Sequence, residues 1–359
     1  MARDSIGLDI GTSGVRAAHV SLRQPPTLEN FGQVPLPPGA VRDGEIVDAA
    51  TVAQAISQLW KHARFKSKRV TVGVANQKVI VRPVDLPFME EQELRGAIQF
   101  QVQEYIPLPV EEAILDFQIL DEFLNDANER MMKVLLVAAT KDMVSVFVEA
   151  VTRAGLDPEA VDLIAFALVR SLGAAGGAFQ APGAGEAIVD IGAGVTNIVV
   201  HERGTPRFVR TLLVGGSSLT EAIAAGLGVS FEDAENIKRR MGLAATPGEV
   251  AAGVGMEAAP RILEDRAAAF IDEIRGSINY YLAQAEATRI NRVVLSGGGS
   301  KLAGLAGRLA NALHLPVEQG RVLQKVRMGR LGLSESQLVE AEPLMGAAVG
   351  LAMGAGEQG

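Results

Sequence analysis

The stretch VDIGAGVTNI, residues 189–198, has a near copy close to the start of the chain, LDIGTSGVR, residues 8–16. In each stretch, a short apolar run ends at an aspartate, Asp190 or Asp9, and is followed by a glycine-rich turn and a second apolar run. This pattern predicts two β-hairpins whose glycines let backbone N–H groups approach a phosphate. Either turn alone is equally typical of an ordinary hairpin. Together they predict a clamp that holds a polyphosphate between two halves of the chain.

The two aspartates and their neighbours are the candidate metal and phosphate ligands. We expect Asp9 and Asp190 to hold Mg²⁺ through water molecules, since Mg²⁺ keeps several of its waters and binds few carboxylates. The residues expected to cradle the phosphates are Gly11, Thr12, Ser13, Gly192, Gly194, Val195 and Thr196. Arg16 follows the first turn, and its forked donors either reach a phosphate or lie in solvent on the strand.

A third glycine-rich segment, VVLSGGGSKLAGL at residues 293–305, follows a β-branched strand and precedes a predicted helix. Gly297, Gly298 and Gly299, with Ser300 behind them, let the backbone lie flat against a planar base near a helix N-terminus. The alternative is a wide turn with no ligand. Glu235 and Lys238, in AENIKRR, lie three residues apart on one predicted helix face, which alone indicates only an intrahelical ion pair.

Composition excludes several classes of protein. The chain has 359 residues, which favours two or more domains, and its net charge of −8 argues against nucleic acid as the main partner. Without cysteine it has no thiol catalysis, cysteine-bound metal or disulfide. The sequence lacks a P-loop, a GxGxxG motif after a strand, a GxSxG elbow and histidines at metal-binding spacing. With no signal sequence and no long apolar run, we expect a cytoplasmic protein without direct membrane insertion.

Predicted strands alternate with predicted helices in both halves, which indicates an α/β fold. The predicted strands are 6–10, 15–20, 70–74, 79–84, 114–120, 133–140, 187–190, 197–201, 208–213 and 292–295. The predicted helices are 48–65, 89–106, 141–154, 158–172, 215–225, 231–241, 262–287, 302–313 and 344–353. The proline-rich stretch that contains Pro25, Pro26, Pro35, Pro37 and Pro38 is predicted as a loop, as are residues 174–186 and 244–260.

Taken together, the two aspartate turns, AENIK, SGGGSKLAGL and the terminal PLMGAAVGLAM resemble the actin-like ATPase superfamily, in that family's order and across nearly the whole chain. The resemblance implies an α/β, ribonuclease H-like fold in which two lobes close around ATP and Mg²⁺. It implies that the adenine and ribose contacts come from Gly216, Glu235, Lys238, Gly298 and Gly299.

The resemblance also identifies a departure from the family's pattern. Phe166 stands where actin relatives carry the glutamine or glutamate that orients the attacking water, and Asp162, one turn away, is a poor substitute. Without a positioned polar group the water is not oriented, so we expect at most slow ATP hydrolysis.

Residues of about 88–155 are predicted to form a strand-and-helix module of their own, inserted before the second aspartate turn. This module is similar to that of the FtsA/PilM branch, and VRPVDLP, ELRGAIQFQVQEYIPLP and DFQIL resemble the PilM family of type IV pilus assembly proteins. The implied division is a first actin-like lobe at 1–87 and 156–182 with the C-terminal helix 343–354, an inserted α+β subdomain at 88–155, a second lobe at 186–222 and 285–342, and a helical subdomain of that lobe at 223–284.

The resemblance implies an ATP-binding scaffold at the cytoplasmic face of the inner membrane. It implies that the scaffold binds the cytoplasmic N-terminal peptide of the membrane protein PilN, and that other pilus inner-membrane assembly proteins and motor ATPases are further partners. The alternatives are a filament-forming FtsA- or MreB-like ATPase, a small-molecule kinase on the same fold, and the cytoplasmic half of a type II secretion scaffold. The glycine-rich end GAGEQG counts against FtsA, which ends in an amphipathic membrane-binding helix.

Overall fold

The computed structural model describes residues 4–174, 183–243, 258–285, 287–329 and 331–355, so the predicted loops at 174–186 and 244–260 lie mostly outside it. The strands are β1 (Asp4–Gly11), β2 (Gly14–Ser21), β3 (Thr27–Pro35), β4 (Val41–Arg42), β5 (Glu45–Ile46), β6 (Arg69–Val74), β7 (Ile80–Pro87), β8 (Ala113–Leu124), β9 (Arg130–Thr140), β10 (Asp157–Leu163), β11 (Ala184–Ile191), β12 (Thr196–Glu202), β13 (Thr205–Leu212), β14 (Arg289–Ser296), β15 (Val317–Gln319) and β16 (Arg327–Met328). The helices are α1 (Ala49–Ala63), α2 (Glu91–Gln101), α3 (Lys141–Arg153), α4 (Ile164–Leu172), α5 (Gly216–Leu227), α6 (Phe231–Met241), α7 (Ala259–Leu282), α8 (Leu305–Leu313), α9 (Glu335–Ala341) and α10 (Gly346–Gly354).

Two mixed sheets carry the two aspartate turns. The first sheet has the order β10-β6-β1-β2-β3-β16, and the second has the order β13-β12-β11-β14-β15. In the first sheet, β1 pairs antiparallel with β2 and parallel with β6. In the second sheet, β11 likewise pairs antiparallel with β12 and parallel with β14. The registers place Asp9 opposite Arg16 and Asp190 opposite Asn197. The two halves of the chain therefore present their aspartate turns on equivalent strands, which confirms the predicted hairpins and the α/β class.

Helices α4 and α10 lie between the two sheets. The apolar core around Leu168 of α4 and Leu351 of α10 takes residues from the first sheet and from the second: Ala18, Val20, Leu28, Ile188, Val199 and Val294. Backbone packs closely here, because a Cβ at Gly350 would lie 1.8 Å from the carbonyl oxygen of Ala167, and one at Gly7 would lie 2.1 Å from that of Ala348. Glycine at these positions lets α10 approach both α4 and β1, so both lobes pack on the same helix pair.

Several predicted elements are corrected by the structure. Residues 27–35, predicted as loop, form β3, which pairs antiparallel with β2. The predicted helix 158–172 is a strand, β10, followed by the shorter helix α4, because residues 157–163 pair with β6. Helix α2 ends at Gln101 rather than at Pro107, and α8 begins at Leu305 rather than at residue 302. Strands β15 and β16 and helix α9 had no predicted counterpart.

A separate three-stranded sheet, in the order β7-β9-β8, packs against α2. Strand β7 of this sheet lies before residue 88, where the predicted inserted subdomain begins. Helix α3 lies inside the predicted subdomain, yet it contributes Met143 and Phe147 to the core of the first sheet. The subdomain boundaries at 88 and 155 stay a prediction from sequence. Among the residues the structure describes, no helix has both the length and the apolar character that crossing a membrane requires.

Candidate functional site

A cleft of about 1110 Å³ lies where the two aspartate turns and the third glycine-rich turn meet. Most residues predicted as ligands line it: Asp9, Gly11, Thr12, Ser13, Arg16, Asp190, Gly192, Val195, Gly216, Glu235, Lys238, Gly297, Gly298 and Gly299. Clefts that bind cofactor-sized ligands have volumes of about 300–1,000 Å³, so this one can hold such a ligand. The structure thus brings together residues that are distant in sequence and belong to both sheets.

Three residues predicted as ligands are not among those that line the cleft. Thr196 is fully buried and its hydroxyl donates to the carbonyl of Val214 at 2.7 Å. The Ser300 hydroxyl donates to the carbonyl of Gly297 at 2.7 Å. Gly194 faces the first turn, since a Cβ there would lie 2.9 Å from the Thr12 hydroxyl oxygen. The hydroxyls of Thr196 and Ser300 are thus already used within the protein, and the lack of a side chain at Gly194 permits the close approach to Thr12.

The electrostatics of Asp9 and Asp190 fit a divalent cation. Burial, together with the charge of Asp9, raises the pKa of Asp190 to about 6, although hydrogen bonds from Ser296 and Asn197 oppose the shift. Burial also raises the pKa of Asp9, against the opposing charge of Arg16, whose Nη1 lies 3.4 Å from Asp9 Oδ2. A cation bound between two neighbouring carboxylates stabilises the ionised form of both, because it offsets the repulsion between their charges.

The donor set favours Mg²⁺ held partly by water rather than a closed protein cage. Within the described ranges, no group of three or more Asp, Glu, His or Cys side chains is placed to hold a metal ion. Mg²⁺ typically keeps several waters and binds one or two carboxylates plus substrate phosphates. Asp9 and Asp190 are therefore the residues that would hold it.

Backbone geometry explains the glycines of the second turn. The N–H of Gly216 donates to the carbonyl of Gly192 at 2.9 Å, and that of Ser217 donates to the carbonyl of Ala193 at 2.8 Å. The turn therefore docks on the N-terminus of α5. A Cβ at Gly215 would lie 2.6 Å from both carbonyl oxygens, so only glycine permits this contact.

The third turn packs on the end of β11. Gly297 has a φ of 81°, and a Cβ there would lie 2.4 Å from the carbonyl oxygen of Ile191. At Gly298 the nearest atom to an added Cβ is 3.3 Å away, on Leu344. Gly298 thus presents bare backbone to the cleft, as contact with a planar base requires.

Glu235 and Lys238 are both an ion pair and part of the cleft wall. Lys238 Nζ lies 2.6 Å from Glu235 and donates to the Gly216 carbonyl at 2.9 Å and to the Thr220 hydroxyl at 2.8 Å, which ties α6 to α5. Burial lowers the pKa of Lys238, and Glu235 opposes that shift. Burial alone would raise the pKa of Glu235, but hydrogen bonds from Lys238 and Thr220 hold it below its usual value.

Sequence reasoning missed other residues that line the cleft. Gln33 lies on β3 opposite Arg16, and it was missed because that strand was predicted as a loop. Arg239 forms an ion pair with Glu235 at 2.7 Å. Its position four residues after Glu235 on a predicted helix is the sequence signal that indicates this pair. Lys301 forms an ion pair with Glu340 of α9, a helix with no predicted counterpart.

Phe166 and Asp162, the residues predicted at or near the water-orienting position, lie away from the cleft lining. Phe166 packs half-buried against the apolar core, and the Asp162 carboxylate is held by Arg170. Neither is among the described residues that line the cleft.

Comparisons with known proteins agree with this architecture. The cell division protein FtsA of Bacillus subtilis is 26% identical over 259 residues, which cover 66% of this chain and 58% of that protein. The Pseudomonas aeruginosa FtsA is 26% identical over 381 residues, 97% of this chain and 88% of that protein. The chain thus spans little more than half of the B. subtilis relative.

Solved structures share the fold. A chain of the PilM–PilN type IV pilus biogenesis complex is 28% identical, with a TM-score of 0.80 and 98% of each chain covered. MreB5 of Spiroplasma citri bound to ADP is 14% identical, with a TM-score of 0.53 and 95% of each chain covered. The fold is therefore actin-like. The sequence profile described as type IV pilus assembly protein PilM matches residues 7–355. By that match, which spans nearly the whole length, the chain belongs to the PilM family of type IV pilus assembly proteins.

Proposed function

We propose that this protein binds ATP with Mg²⁺ in the cleft and acts in type IV pilus assembly as a scaffold that responds to its nucleotide. The observation that carries this proposal is the meeting of Asp9 and Asp190, from two different sheets, in one cleft with three glycine-rich turns. The actin-like MreB5 structure, which holds ADP, supports a nucleotide in such a cleft.

In this proposal each part of the cleft has its own task. Asp9 and Asp190 hold the cation, which neutralises charge on the phosphates. Gly11, Thr12 and Ser13 offer backbone and hydroxyl donors to those phosphates, and the bare backbone at Gly298 faces the base. Because ligands come from both sheets, the bound nucleotide favours the closed arrangement of the lobes.

We expect hydrolysis to be slow, because Phe166 supplies no hydrogen bond to an attacking water and Asp162 is held by Arg170. The expected rate is below about 1 s⁻¹, the low end for phosphoryl-transfer enzymes. A single-turnover assay with radiolabelled ATP and excess protein measures this rate. A faster rate would show that another cleft residue, with Gln33 the first to test, orients the water.

The proposed partner site is a second groove, where β5 and the turn between β6 and β7 meet α3 and the end of β9. It has a volume of about 300 Å³ and is lined by Glu45, Ile46, Lys78, Glu112, Thr140, Asp142, Met143, Val146 and Phe147. Its apolar residues come mainly from α3, and its charged residues come from β5, from the segments that precede β7 and β8, and from the start of α3. Such a groove fits apolar side chains of a short peptide whose polar groups meet charged neighbours.

We infer that the occupant is the cytoplasmic N-terminal segment of a PilN-type membrane protein, since the similar solved chain comes from a PilM–PilN complex. This partner would hold the protein at the cytoplasmic face of the inner membrane. Other assembly proteins of that membrane and the motor ATPases are further proposed partners.

Val146→Glu is expected to weaken binding of that peptide by at least about 30-fold, because a charge in an apolar hot spot costs 2 kcal/mol or more. Calorimetry with a synthetic peptide of the partner's N-terminal residues, with and without MgATP, measures the effect. Ser145→Glu is the matched control, since it adds the same charge to α3 at an exposed position outside the groove lining. Equal affinities of the two variants, or no binding by the unmodified protein, would contradict the proposed groove.

A further inference from the structure

A row of polar side chains leads to Asp190 from β13, the edge strand of the second sheet. The Thr211 hydroxyl on β13 donates to Asn197 Oδ1 on β12 at 3.2 Å. Asn197 in turn lies directly opposite Asp190 of β11 in the strand register, and its side-chain amide lowers the pKa of that carboxylate. The three residues therefore lie side by side across three adjacent strands, with Asp190 at the cleft end.

The chemistry of these groups fixes which way the Asn197 amide points. A carboxylate accepts hydrogen bonds, so Asn197 must offer its Nδ2 to Asp190, and its Oδ1 must face the opposite direction. The Thr211 hydroxyl supplies a proton to that Oδ1. Without this donor, the amide is free to turn and present Oδ1 to the carboxylate, where two acceptors repel each other. Asn197 is only 5% exposed, so little solvent is present to replace the lost donor.

Thr211 acts from outside the cleft. Asn197 lines both the nucleotide cleft and a rear cavity of about 380 Å³, whereas Thr211 is found only in the lining of the rear cavity. The first lobe also reaches this point, because Gln77 Nε2 donates to the Thr211 carbonyl at 3.3 Å. The first lobe thus contacts β13 at the backbone of Thr211, and any effect of the Thr211 hydroxyl on a bound nucleotide must pass through Asn197.

We propose that Thr211 is a positioning residue for the metal-holding carboxylate of Asp190, which it orients through the Asn197 amide. This inference rests on the proposed binding of a magnesium nucleotide in the cleft. It assigns to the second sheet a group that sets cation affinity without touching the cation. Partners that orient a metal ligand from outside typically contribute about 10- to 100-fold to metal affinity.

The test compares Thr211→Val, which removes the hydroxyl at nearly constant shape, with Thr211→Ser, which keeps it. Calorimetry with the non-hydrolysable analogue AMPPNP is done for each protein in Mg²⁺ and again in EDTA. We expect Thr211→Val to lower the affinity in Mg²⁺ by about 10-fold or more. The affinity in EDTA is expected to stay at the unmodified value, which also shows that the cleft is folded, and Thr211→Ser is expected to retain the Mg²⁺ effect.

Three outcomes would overturn the proposal, and they differ from one another. If Thr211→Val keeps the full Mg²⁺ effect, Thr211 does not position Asp190, although the nucleotide site stands. If both variants lose affinity equally in Mg²⁺ and in EDTA, the residue has only a structural role. If the unmodified protein binds no AMPPNP in Mg²⁺, the proposed function itself fails along with this inference.

Discussion

Replacing Asp190 with asparagine is expected to stabilise the nucleotide-free protein at neutral pH by up to about 3 kcal/mol. The reason is that the pKa of Asp190 rises from 3.8 to about 6 on folding, and each pKa unit corresponds to about 1.36 kcal/mol. At pH 7.5 the folded protein must keep this carboxylate ionised in a site that disfavours its charge. Asparagine occupies the same space without the charge.

The pH dependence provides an internal check on the sign. A carboxyl group whose pKa is raised by folding stabilises the folded state fully below its unfolded value of 3.8. That contribution is lost as the pH rises through about 6, because the folded protein must then release a proton that it holds more tightly than the unfolded chain does. The advantage of Asp190→Asn is therefore expected at pH 7.5 and should disappear near pH 4, as urea unfolding at the two values will measure.

The same substitution is expected to weaken the binding of magnesium nucleotide by about 10- to 100-fold. A ligand at 100 times its dissociation constant stabilises a protein by about 2.7 kcal/mol, so saturating MgATP should remove or reverse the order of stability of the two proteins. Asp9→Asn is the informative control. In the Asp9→Asn protein, Arg16 would lose its ion-pair partner. The Arg16 Nε already has no hydrogen-bond partner among the described residues, so the gain in the free energy of unfolding should be smaller than for Asp190→Asn. An Asp190→Asn protein that is no more stable at pH 7.5 would show that the site does not penalise the charge.

The parts of the fold that the sequence predicts correctly are those with a strong local signal. The two aspartate hairpins were found because alternating apolar residues and glycine turns specify them without help from distant residues. Helix 231–241 was found with its observed bounds, since Ser230 accepts a hydrogen bond from the Asp233 N–H and so caps its N-terminus.

The errors arose where tertiary pairing decides the structure. Pro25 and Pro26 before β3, and Pro35 at its end, made the segment resemble a loop, yet these prolines only bracket a strand that β2 completes. The apolar run of α4 favoured a helix that began as early as residue 158, but residues 157–163 are extended because they pair with β6. Missing β3 also hid Gln33, because its place opposite Arg16 is a matter of strand register, which local sequence does not contain.

The close crossing of α4 and α10 predicts a second large effect. Gly350→Ala is expected to lower the free energy of unfolding by about 3 kcal/mol, the upper range for overpacking in a core. An added Cβ would lie 1.8 Å from the carbonyl oxygen of Ala167, which is backbone and has no alternative rotamer. Helix α10 must therefore move away from α4. Strand β1 resists this shift from the other side, because an added Cβ at Gly7 would lie only 2.1 Å from the carbonyl oxygen of Ala348 in α10.

Gly276→Ala is the matched control for this variant. It makes the same change in the middle of a helix, α7, but an added Cβ at Gly276 meets no atom within 4 Å. Alanine favours helix over glycine by about 1 kcal/mol, so this control should be slightly more stable than the unmodified protein. Urea unfolding of the two variants then separates the steric cost of the crossing from the helix preference of alanine. If Gly350→Ala is as stable as Gly276→Ala, the two helices between the lobes can separate without loss, and they cannot be the rigid element on which both sheets pack.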